Sequence, residues 1–355
     1  MPTIGSGSLF AGLSYIAVGR ETAFGTASPE TTTSMKLLNP MSFGLKTVKD
    51  STILEEISGN RVHARRVQLG KVISGDVEYN FYPNDDASNY LLHLAFGGAV
   101  TTATDTSETV GGGGFDHTIE IGDMENSFTS LTFNVRRGPS TTGKVSQYIG
   151  TRVNEMTFSA EIDAPLKVSA SLIAKDSTVG ANDIESILTA TALQILNFTG
   201  GRLSVESAFA SLTSTAFWHI QTMEFSITNS LKSESESRRI GSDTLDVLPA
   251  GIATLALKAT IRFDTTTAFD HMIAADTLSA QFEFLGNTIT GGSSARYGLK
   301  MNFPKVFIKE ASEPEISGPD EILTVEVAFD VLLDKTSAAG YAVQAIVTNT
   351  TTSYA

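Results

Sequence analysis

The chain of 355 residues contains no cysteine, which excludes disulfide scaffolds, thiolate metal sites and cysteine nucleophiles. Charge is scarce at 18% of residues, against about 25% in ordinary soluble domains. Basic charge is scarcer still: 25 Lys plus Arg stand against 39 Asp plus Glu, a net charge of −14. Sequence-independent affinity for duplex DNA comes from Lys and Arg neutralising phosphates, so free DNA is not an expected ligand. No apolar run approaches the ~18 residues of a membrane span. The nearest, residues 9–18, is broken by Gly12 and Ser14. Its first basic residue, Arg20, follows the run instead of preceding it as in a secretory signal. The expectation is a protein made in a cytoplasm, with no membrane partner.

Catalytic patterns are absent as well. There is no Gly-x-Ser-x-Gly elbow, His-Glu-x-x-His or calcium loop. The tetraglycine at 111–114 lacks the Lys-Ser or Lys-Thr of a phosphate loop and sits in a Thr-rich stretch. The five histidines, at 63, 93, 117, 219 and 271, are not paired at ligand spacing; Asp116-His117 and Asp270-His271 are adjacent and diverge. A glycosidase pair needs two suitably placed carboxylates, and nothing in the spacing recommends one. The single tryptophan, Trp218 beside Phe217, reads as core and not as a sugar platform. No enzyme, metal or cofactor is expected.

What the chain does have is a period of two. Apolar and polar residues alternate at 77–81, 131–135, 156–159, 257–263 and 325–331, the pattern of strands with one buried and one wet face. Helical signals are few. Residues 84–98 open on Asn84, Asp85 and Asp86, carry an apolar stripe at Tyr90, Leu91, Leu94 and Ala95, and stop at Gly97-Gly98. A second helix reads over 265–275. Each follows a strand directly.

That recurrence marks an internal repeat. Residues 41–46 overlay 223–228 at an offset of about 180 residues, Phe81 falls on Phe263, and the two helices coincide. Strands then follow in each copy, at 128–136 and 152–175 and at 279–284 and 297–334. The expected fold is mainly β: two tandem β-sandwich or barrel-forming domains, each with one short helix, over 1–190 (with an N-terminal arm) and 191–355.

Each copy also carries a long polar loop of mixed sign between two strands. The first, 47–67, holds Glu55, Glu56, Arg61, His63, Arg65 and Arg66. The second, 230–245, holds Glu234, Glu236, Arg238, Arg239 and Asp243. A solvated excursion would explain one such loop. Its presence in both copies favours contacts that fix the register of a neighbouring subunit, since charge complementarity sets orientation.

The segment Ile16-Ala17-Val18-Gly19-Arg20-Glu21-Thr22-Ala23-Phe24-Gly25-Thr26-Ala27 resembles the opening of tail tube proteins of long-tailed, siphovirus-like bacteriophages, a short strand leading into Glu-Thr-x-x-Gly-Thr. Residues 59–79 are similar to that family's basic loop, which runs into a glycine-containing strand and then a short helix ending in Gly-Gly. The likeness spans nearly the whole chain. It departs at 100–114, a lengthened Thr- and Gly-rich stretch to be placed outside the tube.

The resemblance implies a structural virion protein of the phage tail, made in the bacterial host. In that family, domains contribute strands to a ring-shaped β-barrel around a channel, the helix packs outside it, and the long loop reaches the next ring. Two copies per chain then imply a homotrimeric, pseudo-hexameric ring. Rings would stack into a filament that conducts DNA without binding it specifically, with a tape-measure protein and the tail tip or baseplate and tail terminator proteins as partners. Glu55, Glu56, Arg61, His63, Arg65, Arg66, Arg238 and Arg239 become inter-ring contacts. Asp76, Glu78, Glu326 and Asp330, on the polar faces of their strands, become candidate lumen acids, although Lys258 and Arg262 share such a face. The alternative is a secreted or surface β-sandwich adhesin or carbohydrate-binding protein.

Overall fold

The computed structural model describes residues 14–55, 62–63, 65–104, 114–121, 130–139, 143–212, 217–233, 235–263, 266–289, 295–311, 322–335 and 340–354. The first half runs β1 (Tyr15–Arg20), β2 (Met35–Leu38), β3 (Ser42–Phe43), β4 (Lys46–Ile53) and β5 (Arg66–Asn80), then α1 (Asp86–Phe96). It continues with β6 (Gly97–Thr104), β7 (Phe115–Ile121), β8 (Leu131–Arg137), β9 (Lys144–Glu161), β10 (Lys167–Ile173) and β11 (Asp176–Val179). The second half runs β12 (Gly201–Glu206), β13 (Ile220–Thr228), β14 (Thr254–Arg262), α2 (Thr267–Ala274), β15 (Leu278–Thr288), β16 (Arg296–Ala311), β17 (Thr324–Val331) and β18 (Gln344–Asn349).

The helices form where the capping residues say. The Asp85 side chain accepts from the Ala87 amide at the start of α1, and Gly97, at φ 69°, takes the left-handed turn that ends it. α1 is buried on most of its surface, including Leu91, Leu92, Leu94 and Phe96. α2 has no side-chain cap and buries only Ala268; it is a half-exposed counterpart lying against β16.

Two layers enclose the core. The inner one is a wall of eight strand positions in the order β3/β4, β5, β10, β9, β13, β14, β17, β16, all neighbours antiparallel. The outer layer has two parts. β2, β1, β8, β9 and β11 form one, and β12, β15, β16, β18, β7 and β6 form the other. The long strands β9 and β16 belong to both layers: the first part of each lies in an outer sheet and the rest enters the wall. Facing residues of wall and outer layer, such as Val77, Phe158, Phe225 and Val327 against Phe133, Phe282 and Met301, are fully buried in one core.

The strand order of the first half recurs in the second. β1 lies on β8, β8 on β9, β9 on β10 and β10 on β5; β12 lies on β15, β15 on β16, β16 on β17 and β17 on β14. Even the register slips coincide. One falls between Leu131 and Phe133 and again between Leu278 and Ala280. Another leaves Asn154 as an extra residue in β9 and Lys309 in β16. Bulges bend a strand and raise its twist, so the two bent strands are built by the same device.

One element breaks the recurrence. The β6–β7 hairpin follows α1 with no counterpart after α2, and β7 pairs with β18 from Gln344↔Glu120 to Asn349↔Phe115. Residues 100–104 of the Thr-rich stretch that departs from the family pattern therefore lie in β6 of the outer layer, while residues 105–113 lie outside the described set.

A polar wall and a charged arm

The wall has unequal faces. One is the core face. Across the other, a single cross-strand row runs Ser42, Glu78, Ser169, Thr157, Ser226, Ala256, Asp330, Phe307 from edge to edge. The adjoining rows carry Asp76, Ser171, Glu155 and Thr228 on one side, and Asn80, Lys167, Ser159, Glu224, Lys258, Ala328 and Glu310 on the other. Glu161, Thr222, Thr260 and Glu326 make a fourth row. All four candidate acids, Asp76, Glu78, Glu326 and Asp330, are exposed on this face. The structure adds Glu155, Glu161, Glu224 and Glu310 to them. The first three sit in strands whose alternation is just as plain, and registration across the sheet is what reveals their common face. Lys258 and Arg262 share it, as their spacing indicates.

The two polar loops come out differently. β4 and the start of β5 form a hairpin arm, paired from Lys46↔Ser74 to Ile53↔Arg66 and exposed along all of β4. Val48, Ile53, Val67 and Leu69 stand in solvent on it. Glu55, His63, Arg65 and Arg66 lie at its exposed far end; Glu56 and Arg61 lie outside the described residues. The arm springs from a tight crossing, because a Cβ on Gly75 would sit 2.3 Å from the Gly44 carbonyl oxygen.

The second loop folds back on its own chain. Leu231, Leu245 and Leu248 are buried and pack with Phe24 and Ile173. Arg238 lies across Gly70 and donates to the Lys71 carbonyl at 2.6 Å and the Asp243 carbonyl at 3.2 Å. Lys71 in turn meets Asp176 at 3.0 Å. Arg238 thus braces the base of the arm, while Arg239 remains exposed near Asp246 at 3.6 Å. Three leucines favour burial over projection, and the arm has no such cluster.

The Glu-Thr-x-x-Gly-Thr segment also acquires a physical role. The Glu21 carboxylate, 2% exposed, accepts from the Gly25 amide, the Ser130 hydroxyl, the Thr132 hydroxyl at 2.8 Å and the Gly150 amide at 2.8 Å. Gly25 holds φ 76°, a left-handed turn that brings its amide onto the carboxylate. One side chain therefore ties the segment after β1 to β8 and β9.

Away from the wall, titratable groups cluster under α1. Burial pushes Asp85 up to about 6 against the pull of its bonds to Ser88 and Ala87. Burial holds His93 down to about 3, aided by Arg20 and His117, and lowers His117 despite its bond to Asn349. Burial and the Asp86 charge raise Tyr354, whose hydroxyl receives Asn89 and Asn349. These bonds anchor the end of the chain to the first half. His93 folds in its neutral form, so its contribution is complete above its ordinary 6.5 and is lost as pH falls toward 3. Asp85 acts oppositely, stabilising below 3.8 and losing that contribution as pH rises through about 6. Stability is therefore expected to fall on acidification below pH 6.5, with partial compensation below 6. In His93→Gln the loss between pH 6.5 and 4 should shrink by on the order of 3 kcal/mol in urea titrations at stepped pH; an unchanged slope would contradict this origin.

Among the described residues no group of three or more His, Asp or Glu is placed to hold a metal, and no helix is long and apolar enough to cross a membrane. Trp218 is partly buried against the core with its ring 6.2 Å from Phe329.

A repeated strand order, a two-faced wall and a protruding arm define a β-sandwich protein with an extended polar surface. The family model for phage tail tube proteins matches residues 13–331, and the chain belongs to that family. None of the curated proteins matches it. Family membership makes it a structural component of a bacteriophage tail that assembles into a tube with other tail proteins, in a non-enzymatic role.

Proposed function

We propose that three chains form a pseudo-hexameric ring, that rings stack into the tail tube, and that the polar face of the wall lines the channel through which DNA is ejected. Each chain supplies two tube domains, over 1–190 and 191–355, joined at the seam between β9 and β13. The observation that carries this reading is the single, mostly polar cross-strand row from Ser42 to Phe307 across both halves, backed on its other side by one core. A continuous wall of this kind closes into a barrel and removes the exposed edges that template aggregation. The arm, with Glu55, Glu56, Arg61, His63, Arg65 and Arg66, reaches the next ring, with Arg239 beside it and Arg238 at its base. Head-to-tail stacking does not close, so it grows a filament.

Acids on the channel face suit passage of DNA. With one phosphate charge per roughly 1.7 Å, DNA would be held by a basic wall through counterion release and slides along an acidic one. Glu78→Lys and Asp330→Lys phages are expected to assemble tubes of normal length and to eject DNA severalfold more slowly, read by single-particle ejection assays. Ejection at the unsubstituted rate would count against the lumen assignment. The tape-measure protein would occupy the channel before ejection, and tip or baseplate and terminator proteins would cap the two tube ends. The adhesin alternative has no observation in its favour, since Trp218 packs on Phe329.

The decisive experiment is electron microscopy of concentrated protein with native mass spectrometry on the same sample. Hollow rings or tubes of three chains per ring are expected. Rings of six chains would keep the tube and discard the stoichiometry, and a compact monomer under all conditions would overturn the assembly reading.

A further inference from the structure

The arm and the second polar loop, one from each half of the chain, meet at a bend in the arm. Along β4 and β5 the register runs Lys49↔Lys71 and then Ser51↔Gln68, so Leu69 and Gly70 on β5 stand against Asp50 alone. Such a slip bends a strand and raises its twist. Nearer the wall, the Ile73 carbonyl accepts the Ala174 amide just past the end of β10. Lys71, two residues along β5, offers its N–H and C=O on the same side. No residue of β10 is left to meet them, and the second loop takes its place. The Asp243 carbonyl accepts the Lys71 amide at 2.7 Å, and Arg238 donates to the Lys71 carbonyl at 2.6 Å.

The loop that holds these groups is itself fixed. Besides its three buried leucines, the Lys232 amide donates to the Pro249 carbonyl and the Asp246 amide to the Ser237 carbonyl, both at 2.9 Å. The Lys71 ammonium ties the same point to Asp176 at 3.0 Å and to Asp243 at 3.7 Å. Arg238 reaches its carbonyl only by lying across Gly70, where an added Cβ would collide with its guanidinium. Beyond that point residues 50–53 and 65–69 of the arm are all exposed.

We infer that Arg238 is a positioning residue for stacking: with the Asp243 carbonyl it fixes the bend at Gly70, so the arm holds its direction before a second ring arrives. This rests on the ring and arm reading above and adds the part played by the second half, which supplies a strut where the first supplies an arm. A ring of three chains then offers three arms to its neighbour, not six. A preset arm lowers the ordering cost of docking and removes a conformational search from the encounter.

The test uses three full-length variants. Arg238→Ala removes the brace, Gly70→Ala displaces it while leaving the arginine in place, and a third chain has residues 50–70 replaced by an Asn-Gly turn. Because the chain has no cysteine, spin labels on Thr52→Cys and Val179→Cys, the latter 72% exposed on β11, read the arm's direction in dilute, unassembled protein. One narrow distance is expected with the brace intact, and a distribution about twofold broader in Arg238→Ala and Gly70→Ala. Tube growth of the unlabelled variants, followed by light scattering, should slow about tenfold, while their unfolding midpoints move by less than about 3 °C. The armless chain should form rings that do not stack. An unbroadened distribution in Arg238→Ala would overturn the brace, and growth at the unsubstituted rate despite a broad one would overturn its role in stacking. Six equivalent bridges per ring interface in a tube map would also overturn it. Each of these leaves the tube standing, provided the armless chain gives rings alone. Should Arg238→Ala fail to fold, the same readings on Gly70→Ala decide. Tubes from the armless chain at the unsubstituted rate, or no rings from the unsubstituted chain, would overturn the reading beneath and this inference with it.

Discussion

Glu21→Ala is expected to lower the unfolding free energy by about 3–5 kcal/mol in urea denaturation. Four donors from three separate segments converge on this carboxylate, which also acts electrostatically on the partly buried Arg152. Removing the acceptor leaves the Gly25 and Gly150 amides and two hydroxyls without it in a site that is buried apart from the half-exposed Gly25. Each unsatisfied buried group costs about 1–3 kcal/mol, and hydrogen bonds to a charged group are the stronger kind. Arg152 compounds the loss: burial already lowers its pKa to about 10, with Glu21 pulling the other way. Glu21→Gln keeps one acceptor oxygen and should lose less than the alanine variant. A change below about 1 kcal/mol for Glu21→Ala would show that relaxed backbone or water can satisfy these donors and that the motif acts otherwise.

Phe158→Ala and Phe225→Ala are each expected to cost about 3–5 kcal/mol. These rings sit opposite one another at the seam between the two halves, stacked at 6.3 Å between centroids and completely buried. Phe81 extends the row on one side at 6.1 Å and Phe303 on the other at 5.0 Å. Truncation leaves a cavity in a core that both halves share, where neither half can collapse independently of the other. The double variant should destabilise by less than the sum of the singles, by about 0.5–1.5 kcal/mol, because the ring–ring contact is lost once. Strict additivity would mean that the rings contribute only their separate burial. Assembly should fail with folding in these variants, in contrast to Glu78→Lys and Asp330→Lys, which touch only the wet face.

Alternation, caps and repeat order are local properties, and they are legible in the chain. The period of two at 77–81 and 325–331 places Val77 and Val327 in the core and Glu78 and Glu326 in solvent because side chains on a strand must alternate. Asp85 and Gly97 mark the ends of α1 because one supplies an acceptor and the other tolerates a positive φ. The matching order of strands and helices foretells the recurrent pairing, and the scarcity of basic charge foretells an acidic surface. These features require no knowledge of what lies across a strand.

Partner choice is another matter, and the tertiary structure alone decided it. A period of two tells which face a residue occupies and says nothing about which strand lies beside it, so β7 pairing with β18 across more than half the chain could not be read from either segment. The fates of the two mixed-charge loops diverged for the same reason. Leu231, Leu245 and Leu248 found an apolar recess by Phe24 and Ile173, whereas Val48, Ile53 and Leu69 stay exposed among the described residues. Glu21 is marked in sequence only as part of the Glu-Thr-x-x-Gly-Thr segment, and the structure makes it the buried acceptor for its own turn and two distant segments. Local preference costs or gains tenths of a kcal/mol per residue and is written along the backbone. Burial, hydrogen-bond satisfaction and strand pairing depend on residues brought together only when the two layers close.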